Sequence, residues 1–292
     1  MLNRTAIDTV VTLGLAEDAP WGDVTSEALI PAGARATARL VAREPGILAG
    51  IEVFAAAMQA CDPAASVTVE LADGDTFERG TVIAHVTGDA RGVLRAERVA
   101  LNLLQRLSAI ATQTAAYVAA VEGSGARIVD TRKTTPGLRA LERHAVRCGG
   151  GFNHRFSLSD AVLAKDNHLA VLTAGGVDLA TALRGAKARL GHTVHFEVEV
   201  DGLAQLAAVL ESGVVDTIML DNFSLEELRQ GVELIGGRAL VEASGGVALD
   251  TVAAIAATGV DLISVGALTH SVRALDLGLD IGVEAPAGPS GR

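Results

Sequence analysis

The chain has 292 residues, of which 49% are hydrophobic and only 3% aromatic, and 24 basic against 35 acidic side chains give a formal net charge of -11. This charge disfavours non-specific binding to nucleic acid or to an anionic membrane, so an anion site requires a local group of cations. No run of about 18 uncharged apolar residues suits a membrane span, and the start, MLNRTAIDTV, lacks the apolar core of a secretion signal. We expect a cytoplasmic protein without a nucleic-acid or membrane partner.

The first hundred residues predict a small α+β domain. Residues 35–43, RATARLVAR, alternate polar and apolar side chains with the period of a strand that has one face in water. Strands are predicted at 35–43, 66–71 and 81–86, and helices at 4–15, 51–60 and 92–121. We place this N-terminal α+β sandwich domain at 1–103, with 271–292 available to pack back on it and 284–292 as a flexible tail.

The two cysteines, Cys61 and Cys148, lie far apart in the sequence. They show no CxxC or Cys/His spacing, which disfavours both a disulfide framework and a structural zinc site. We expect them to be buried or incidental thiols.

After Gly125 the chain becomes regular. Short apolar runs recur, most of them separated by Ala- and Leu-rich stretches of helical length: RIVD, AVLAK, VHFEVEV, TIML, ALVEA and LISVGA. Serial βα units imply parallel strands, which either close into a barrel or form an open doubly wound sheet. An incomplete α/β barrel over 104–270 is favoured, because a barrel gathers its strand ends around one mouth. The strand-end residues are Asp130, Lys165, Glu199, Asp221, Ser244 and Gly266.

A group of cations follows the first two of these runs: Arg132, Lys133, Arg155 and Lys165, with His154 beside them. Arginine holds a carboxylate or phosphate with two parallel hydrogen bonds, and lysine adds a compact positive charge. A dicarboxylate or a polyphosphate would suit this group. Taken alone, the Arg132–Lys133 pair is more simply a solvated loop, and the neighbouring cations favour the anion site.

Glu199 and Asp221 end two successive runs. Together they could hold Mg²⁺, which prefers one or two carboxylates with waters and substrate phosphates, or they could accept hydrogen bonds from ribose hydroxyls. Structural salt bridges are the simpler alternative. Glu197 points to the same side of its strand as Glu199, so position alone does not rank the two.

Small residues follow the last two strands, where backbone must come close to a ligand. They are Ser244, Gly245 and Gly246 after one strand, and Gly266 and Ala267 after the next. Late loops of such barrels often bind phosphate through backbone N–H groups. Glycine after a strand is also ordinary turn chemistry, so the two segments carry weight only together.

The stretch from Asp130 to His168, DTRKTTPGLRALERHAVRCGGGFNHRFSLSDAVLAKDNH, resembles the core of the quinolinate phosphoribosyltransferases. The resemblance continues through RAERVALN at 95–102, EVEV at 197–200, LDNF at 220–223, EASGG at 242–246 and VGALTH at 265–270. The order and spacing of these motifs cover essentially the whole chain.

This resemblance implies transfer of phosphoribose from phosphoribosyl pyrophosphate to quinolinate with decarboxylation, in NAD biosynthesis. It assigns catalytic roles to Lys133, Glu199 and Asp221, and a metal site for Mg²⁺ to Glu199 and Asp221. It also implies a homodimer with a shared active site, in which Arg98 enters from the neighbouring subunit, and further assembly to a hexamer stays open. The substrate-binding residues that it implies are Arg98, Arg132, Lys133, Thr134, His154, Arg155, Lys165, Glu199, Asp221, Ser244, Gly245, Gly246, Val265, Gly266 and Ala267.

Other activities remain as alternatives. A related group linked to molybdenum transport shares the TRKTTPG motif but lacks the KDNH segment that is complete here at 165–168. A nicotinate phosphoribosyltransferase, a phosphate-binding barrel acting as isomerase or aldolase, and a non-enzymatic ligand-binding relative complete the set. Only an assay with quinolinate and nicotinate separates them.

Overall fold

The computed structural model describes residues 2–284, so the tail predicted for 284–292 lies outside the described residues from 285 onward. The helices are α1 Arg4–Asp18, α2 Val24–Leu29, α3 Ile51–Cys61, α4 Ala90–Ala120, α5 Arg139–Cys148, α6 Asp166–Thr173, α7 Leu179–Lys187, α8 Leu203–Ser212, α9 Leu225–Ile235, α10 Val252–Ala256 and α11 Ala267–His270. The strands are β1 Arg35–Ala42, β2 Gly46–Ile47, β3 Ser66–Val69, β4 Thr76–Phe77, β5 Val82–Asp89, β6 Arg127–Val129, β7 Val162–Ala164, β8 Phe196–Val200, β9 Thr217–Asp221, β10 Leu240–Ser244, β11 Leu262–Ser264 and β12 Leu277–Glu284.

The chain divides into two compact units. The first contains the chain up to Gln113, the segment Thr134–Gly150 and the chain from Ser271 onward, and the second contains Thr114–Lys133 and Gly151–His270. This grouping differs from a division at residue 103, because α5 belongs to the first unit. There α5 contacts α1 and is held to α4 by an ion pair.

The first unit is built on a four-stranded antiparallel sheet with the order β12-β1-β5-β3. Along β1, Ala36, Ala38 and Leu40 are buried while the residues between them are exposed, as the alternating pattern predicts. The strand from Leu277 to Glu284 lies at one edge, beside β1. Helix α3, whose Phe54 is fully buried, contacts β3 and α1. The sheet therefore brings segments from both ends of the sequence together.

The second unit is an incomplete parallel barrel. Six parallel strands pair in the order β6-β11-β10-β9-β8-β7, so the last strand of the series returns to the first. On the other side of β6, Phe152 forms a single parallel bridge to Val129. No ladder between that segment and β7 is present among the described residues, which leaves the barrel open there. The predicted fold class is confirmed.

Helix α9 packs closely on strand β9 on the outside of this barrel. A Cβ atom placed on Gly231 of α9 would lie 2.7 Å from Cδ1 of Leu220 in β9, so glycine allows the helix to sit directly on the strand. Within residues 2–284, no helix is both long and apolar enough to cross a bilayer.

A buried ion pair fixes α5 on α4 within the first unit. Glu142 is fully buried, its Oε1 lies 2.7 Å from Nη2 of Arg106, and its Oε2 accepts a hydrogen bond from the backbone N–H of Thr135 at 3.2 Å. Removing one partner of such a pair leaves an uncompensated charge out of water. The pair thus anchors α5 and the segment before it.

We predict that Arg106→Met lowers the free energy of unfolding by about 3 kcal/mol, because the Glu142 carboxylate stays buried without its cation. Chemical denaturation followed by circular dichroism measures the change. Arg4→Met is the matched control, because its partner Asp8 forms a largely exposed pair with it, at 68% and 52% side-chain exposure, and its loss should matter little. Equal effects of the two substitutions would contradict this account.

Candidate active site

The carboxyl ends of the six parallel strands meet at one rim of the second unit, and most of the predicted site residues lie on it. Register pairs Asp221 with Ser244 and places Glu199 beside Met219, so residues at matching heights face the same side of the sheet. Lys165 directly follows β7, and Val265 directly follows β11. The topology therefore gathers side chains that are far apart in sequence.

A network of buried acids lies below this rim. Asp130, fully buried, accepts hydrogen bonds from Nδ2 of Asn153 at 2.6 Å and from the backbone N–H of His154 at 2.8 Å. Nε2 of His154 lies 3.0 Å from Oε2 of Glu197 and 3.6 Å from Oε2 of Glu242. Both glutamates are buried, at 3% and 1% exposure, and their Oε1 atoms have no hydrogen-bond partner among residues 2–284. Two carboxylates thus share one imidazole.

Two groups of this network, Glu242 and His154, have raised pKa values. Burial, followed by the charge of Glu197, raises the pKa of Glu242 to about 8. For His154, burial alone would lower the pKa, but the hydrogen bond to Glu197 and the charges of Glu242, Glu197 and Asp130 outweigh it and raise the pKa. Two bare carboxylates repel each other in a dry interior, which favours a proton on Glu242.

The predicted cations lie in this unit beside the buried network. His154 accepts a hydrogen bond through Nδ1 from the backbone N–H of Arg155, whose Nη1 donates to the carbonyl oxygen of Ala161 at 2.9 Å. Burial and then the positive charge of nearby Arg132 lower the pKa of Arg155. Two guanidinium groups that repel each other define a place where an anion is stabilised.

Three acids converge at the rim. Glu199, Asp201 and Asp221 each offer a carboxylate oxygen, and these atoms lie within 4.8 Å of one another. Glu199 also forms an ion pair with Nζ of Lys165. An all-carboxylate oxygen donor set of this size suits Mg²⁺ better than a softer metal. The structure separates the two glutamates of β8, since Glu197 joins the buried network and Glu199 reaches the rim.

Glycine is required where the loops after β9 and β10 cross. The backbone N–H of Asn222 donates to the carbonyl oxygen of Ser244 at 2.9 Å. A Cβ atom on Gly245 would lie 2.2 Å from Oδ1 of Asn222 and 2.8 Å from its backbone nitrogen. Gly245 and Gly246 also have φ values of 90° and 59°, which residues with a Cβ atom rarely adopt. The glycines predicted for phosphate contact therefore also hold the two loops together.

Lys133 is positioned by the segment after β11. Its carbonyl oxygen accepts a hydrogen bond from Oγ1 of Thr269 at 2.8 Å, and its own backbone N–H donates to Oγ1 of Thr131 at 3.0 Å. A Cβ atom on Gly266 would lie 3.0 Å from Cδ of Lys133, so glycine leaves the space that the lysine stem uses. Val265 and Ala267 flank that glycine.

Two predicted residues, Arg98 and Thr134, belong to the first unit. Arg98 is exposed on α4. Thr134 begins the segment Thr134–Gly150, where its Oγ1 accepts a hydrogen bond from Nε of Arg139 at 3.0 Å. The roles given to them stay predictions.

Sequence reasoning missed Asp201 and Glu242 as site residues. Asp201 is the first residue after β8, at the carboxyl end of the strand. Glu242 lies two residues before Ser244 on the same strand and therefore faces the same side. Both signals were present, but a single acid near a strand end is common without a function.

Fold and site together define a class of protein, an α/β-barrel enzyme whose rim brings a group of cations and a cluster of carboxylates together. Family models described as the N-terminal and C-terminal domains of quinolinate phosphoribosyl transferase match residues 23–108 and 110–280. The chain belongs to the quinolinate phosphoribosyl transferase family.

Individual relatives agree with this assignment. The chain is 46% identical to a Mycobacterium leprae protein named nicotinate-nucleotide pyrophosphorylase (carboxylating), over 91% of this chain and 94% of the relative. A Bacillus subtilis protein named as a probable enzyme of the same kind is 39% identical over 96% and 95%. A solved structure of the nicotinate-nucleotide pyrophosphorylase from Francisella tularensis superposes with a TM-score of 0.89 at 36% identity, covering 97% of this chain and 98% of that one.

The protonated state of Glu242 predicts a pH dependence of stability. Its folded pKa of about 8 lies above the unfolded value of about 4.3, so its contribution is complete below pH 4.3 and is lost as pH rises through 8. Glu242→Gln stays neutral and removes this loss. We predict that the stability of the parent protein relative to Glu242→Gln falls steadily between pH 5 and about 9, measured by denaturant midpoints.

Glu226→Gln is the matched control for this measurement, since Glu226 is exposed on α9. Its difference from the parent should hold nearly constant over the same range. A flat difference for Glu242→Gln would mean that Glu242 is ionised in the folded protein at neutral pH.

Proposed function

We infer that this chain transfers the phosphoribosyl group of phosphoribosyl pyrophosphate to quinolinate, giving nicotinate mononucleotide, pyrophosphate and carbon dioxide for NAD synthesis. Family membership over nearly the whole chain carries the inference. The rim of the second unit supports it, because one group of cations suits a dicarboxylate and one group of acids suits a metal-bound phosphosugar. We further propose that the reaction takes place in the cytoplasm.

The quinolinate pocket is assigned to Arg132, Arg155 and Lys165, with His154 and Lys133 beside them. The mutual repulsion of Arg132 and Arg155 supports the assignment, since a dicarboxylate relieves it. Burial alone would lower the pKa of His154, but its hydrogen bond to buried Glu197 outweighs burial and raises the pKa, which favours positive charge beside the pocket. A dicarboxylate uses this much positive charge better than a monocarboxylate does, which favours quinolinate over nicotinate.

The phosphoribosyl pyrophosphate is assigned to the acids and glycines of the rim. Glu199 and Asp221, joined by Asp201, are placed to hold Mg²⁺ or to accept from ribose hydroxyls. When bound, Mg²⁺ neutralises phosphate charge and stabilises the departing pyrophosphate. Ser244, Gly245, Gly246 and the Val265–Ala267 segment are assigned to the 5′-phosphate, because glycine lets backbone N–H groups come close.

The chemistry requires positioning and charge complementarity and no covalent nucleophile. Loss of pyrophosphate leaves positive charge at C1 of the ribose, which Glu199 and Asp221 stabilise. Lys133 faces the developing negative charge of the pyrophosphate. The bound quinolinate nitrogen then attacks C1. Once that nitrogen is quaternary, the bond between C2 and its carboxylate breaks, carbon dioxide leaves with the electron pair remaining on C2, and C2 then takes up a proton from solvent.

The active site is proposed to be completed by a second copy of the chain in a homodimer. Arg98 is exposed on α4, as a side chain offered to a partner subunit must be. In this arrangement it adds a further cation to the dicarboxylate pocket. Measurement of the molecular mass in solution distinguishes a dimer from a hexamer of such dimers.

The activity is tested with purified protein, phosphoribosyl pyrophosphate and Mg²⁺. With quinolinate, we predict equal amounts of mononucleotide, pyrophosphate and carbon dioxide, and with nicotinate no mononucleotide. We expect Arg132→Gln to raise the KM for quinolinate by roughly 10- to 100-fold, which corresponds to one charge-assisted hydrogen bond, with a small effect on the KM for phosphoribosyl pyrophosphate.

Arg189→Gln serves as the matched control, since Arg189 is exposed just beyond the end of α7. Its kinetic constants should equal those of the parent. Mononucleotide formed from nicotinate and not from quinolinate would refute the proposed function, and equal KM effects on both substrates would refute the role of Arg132.

Shared active sites predict recovery of activity in mixtures. Arg98→Ala and Lys133→Ala are each expected to be inactive, but a hybrid dimer contains one site free of both changes. Random exchange makes half of the dimers hybrids, so the mixture should reach about one quarter of the parent activity. Subunit exchange is followed with fluorescent labels. Full exchange without recovered activity would show that each chain builds its own site.

A further inference from the structure

Three side chains of different chemistry converge in the first unit. His144 and Cys148 lie one turn apart on α5, and Asp73 comes from the turn between β3 and β4. Nε2 of His144 lies 2.6 Å from Oδ2 of Asp73 and 3.4 Å from Sγ of Cys148. The histidine and the aspartate are 21% and 16% exposed, so the cluster is shielded but open to small solutes.

Asp73 is held rigidly. Its Oδ1 accepts hydrogen bonds from the backbone N–H groups of Gly50 and Ile51 at 2.9 and 3.0 Å, at the start of α3. The backbone N–H of Gly74 donates to the carbonyl oxygen of Leu48 at 2.8 Å and fixes the turn. Asp73 therefore presents its other oxygen, Oδ2, to His144 without a loss of side-chain freedom on binding.

The geometry differs from that of a catalytic triad. In a nucleophile–histidine–acid triad, the acid and the nucleophile use opposite nitrogens of the imidazole ring. Here Asp73 and Cys148 both face the same nitrogen, Nε2. An oxygen, a nitrogen and a sulfur surround one point, which is the arrangement that a bound cation needs.

We propose that Asp73, His144 and Cys148 form a binding site for a zinc-class transition-metal ion. Imidazole and thiolate ligands select zinc and its neighbours over Mg²⁺. The three ligand atoms lie within 4.8 Å of one another. Two ligand atoms of one tetrahedral ion stand roughly 3.3–3.7 Å apart. The distance between Nε2 of His144 and Sγ of Cys148 lies in this range. The distance between Nε2 of His144 and Oδ2 of Asp73 is shorter, and a small side-chain rotation brings it into the range.

Three protein ligands leave the fourth tetrahedral position to water or to a small anion. The cluster also ends α5, where the partial negative charge of the last carbonyl groups favours a cation.

The test uses the full chain, stripped with a chelator under reducing conditions and titrated with Co²⁺, then with Zn²⁺. A thiolate bound to Co²⁺ gives a sulfur-to-metal charge-transfer band, which carboxylate sites cannot give. The expected result is one such band that saturates with one ion per chain and disappears when Zn²⁺ replaces Co²⁺. Cys148→Ser and His144→Gln should abolish the band, and Asp73→Asn should weaken Co²⁺ binding.

Cys61→Ser is the matched control, because it removes the other cysteine and should leave the band intact. Circular dichroism verifies that each variant is folded. Retention of the charge-transfer band by Asp221→Asn separates this cluster from the acids of the second unit. A parent protein without the band would overturn the proposal. Persistence of the band in Cys148→Ser, or its loss in Cys61→Ser, would overturn it as well.

Discussion

Parallel pairing of the strands β6 through β11 is the constraint on which the candidate active site depends. Because all six strands point the same way, their carboxyl ends form one rim, and each strand contributes the residues at its carboxyl end. Lys165, Glu199 and Asp221 come from three neighbouring strands in this manner. A chain with a net charge of -11 can concentrate cations locally only if its fold brings a few of them together.

The buried network beneath the rim positions His154, which lies beside the cations of the rim. Asp130 fixes the backbone of His154 and Glu197 contacts its ring, so the histidine is held in one orientation. Burying Glu242 beside Glu197 would be costly if both were ionised, and a proton on Glu242 relieves that cost. The interior of the barrel therefore holds His154 in place beside Arg155.

Periodicity predicted most of the fold, since β1 and the βα series follow simple patterns of polar and apolar residues. The predicted helix at 92–121 corresponds to α4 at Ala90–Ala120. The place of α5 could not be predicted, because its grouping with the first unit depends on the Arg106–Glu142 ion pair, which joins residues 36 positions apart. Local sequence carries no signal for such a pair.

The site was predicted unevenly for a similar reason. Glu197 and Glu199 have the same spacing and face, and only their neighbours in space, His154 for one and Lys165 for the other, separate them. Cys148 gave no metal signal because its partner Asp73 lies 75 positions earlier, and the spacing to His144 alone is common on helices. Ligand types can be read from sequence, but convergence depends on tertiary contacts.

The Lys165–Glu199 ion pair connects the two proposed substrates. Each group is the counter-ion of the other, so neither charge is isolated at the rim. A carboxylate of quinolinate that accepts from Lys165 would take away the counter-ion of Glu199, and Glu199 would then favour a cation more strongly. That cation is either the metal of phosphoribosyl pyrophosphate or the positive charge developing at C1. Under the proposed function, binding of the dicarboxylate and binding of the metal-bound phosphosugar would then strengthen each other through this one ion pair.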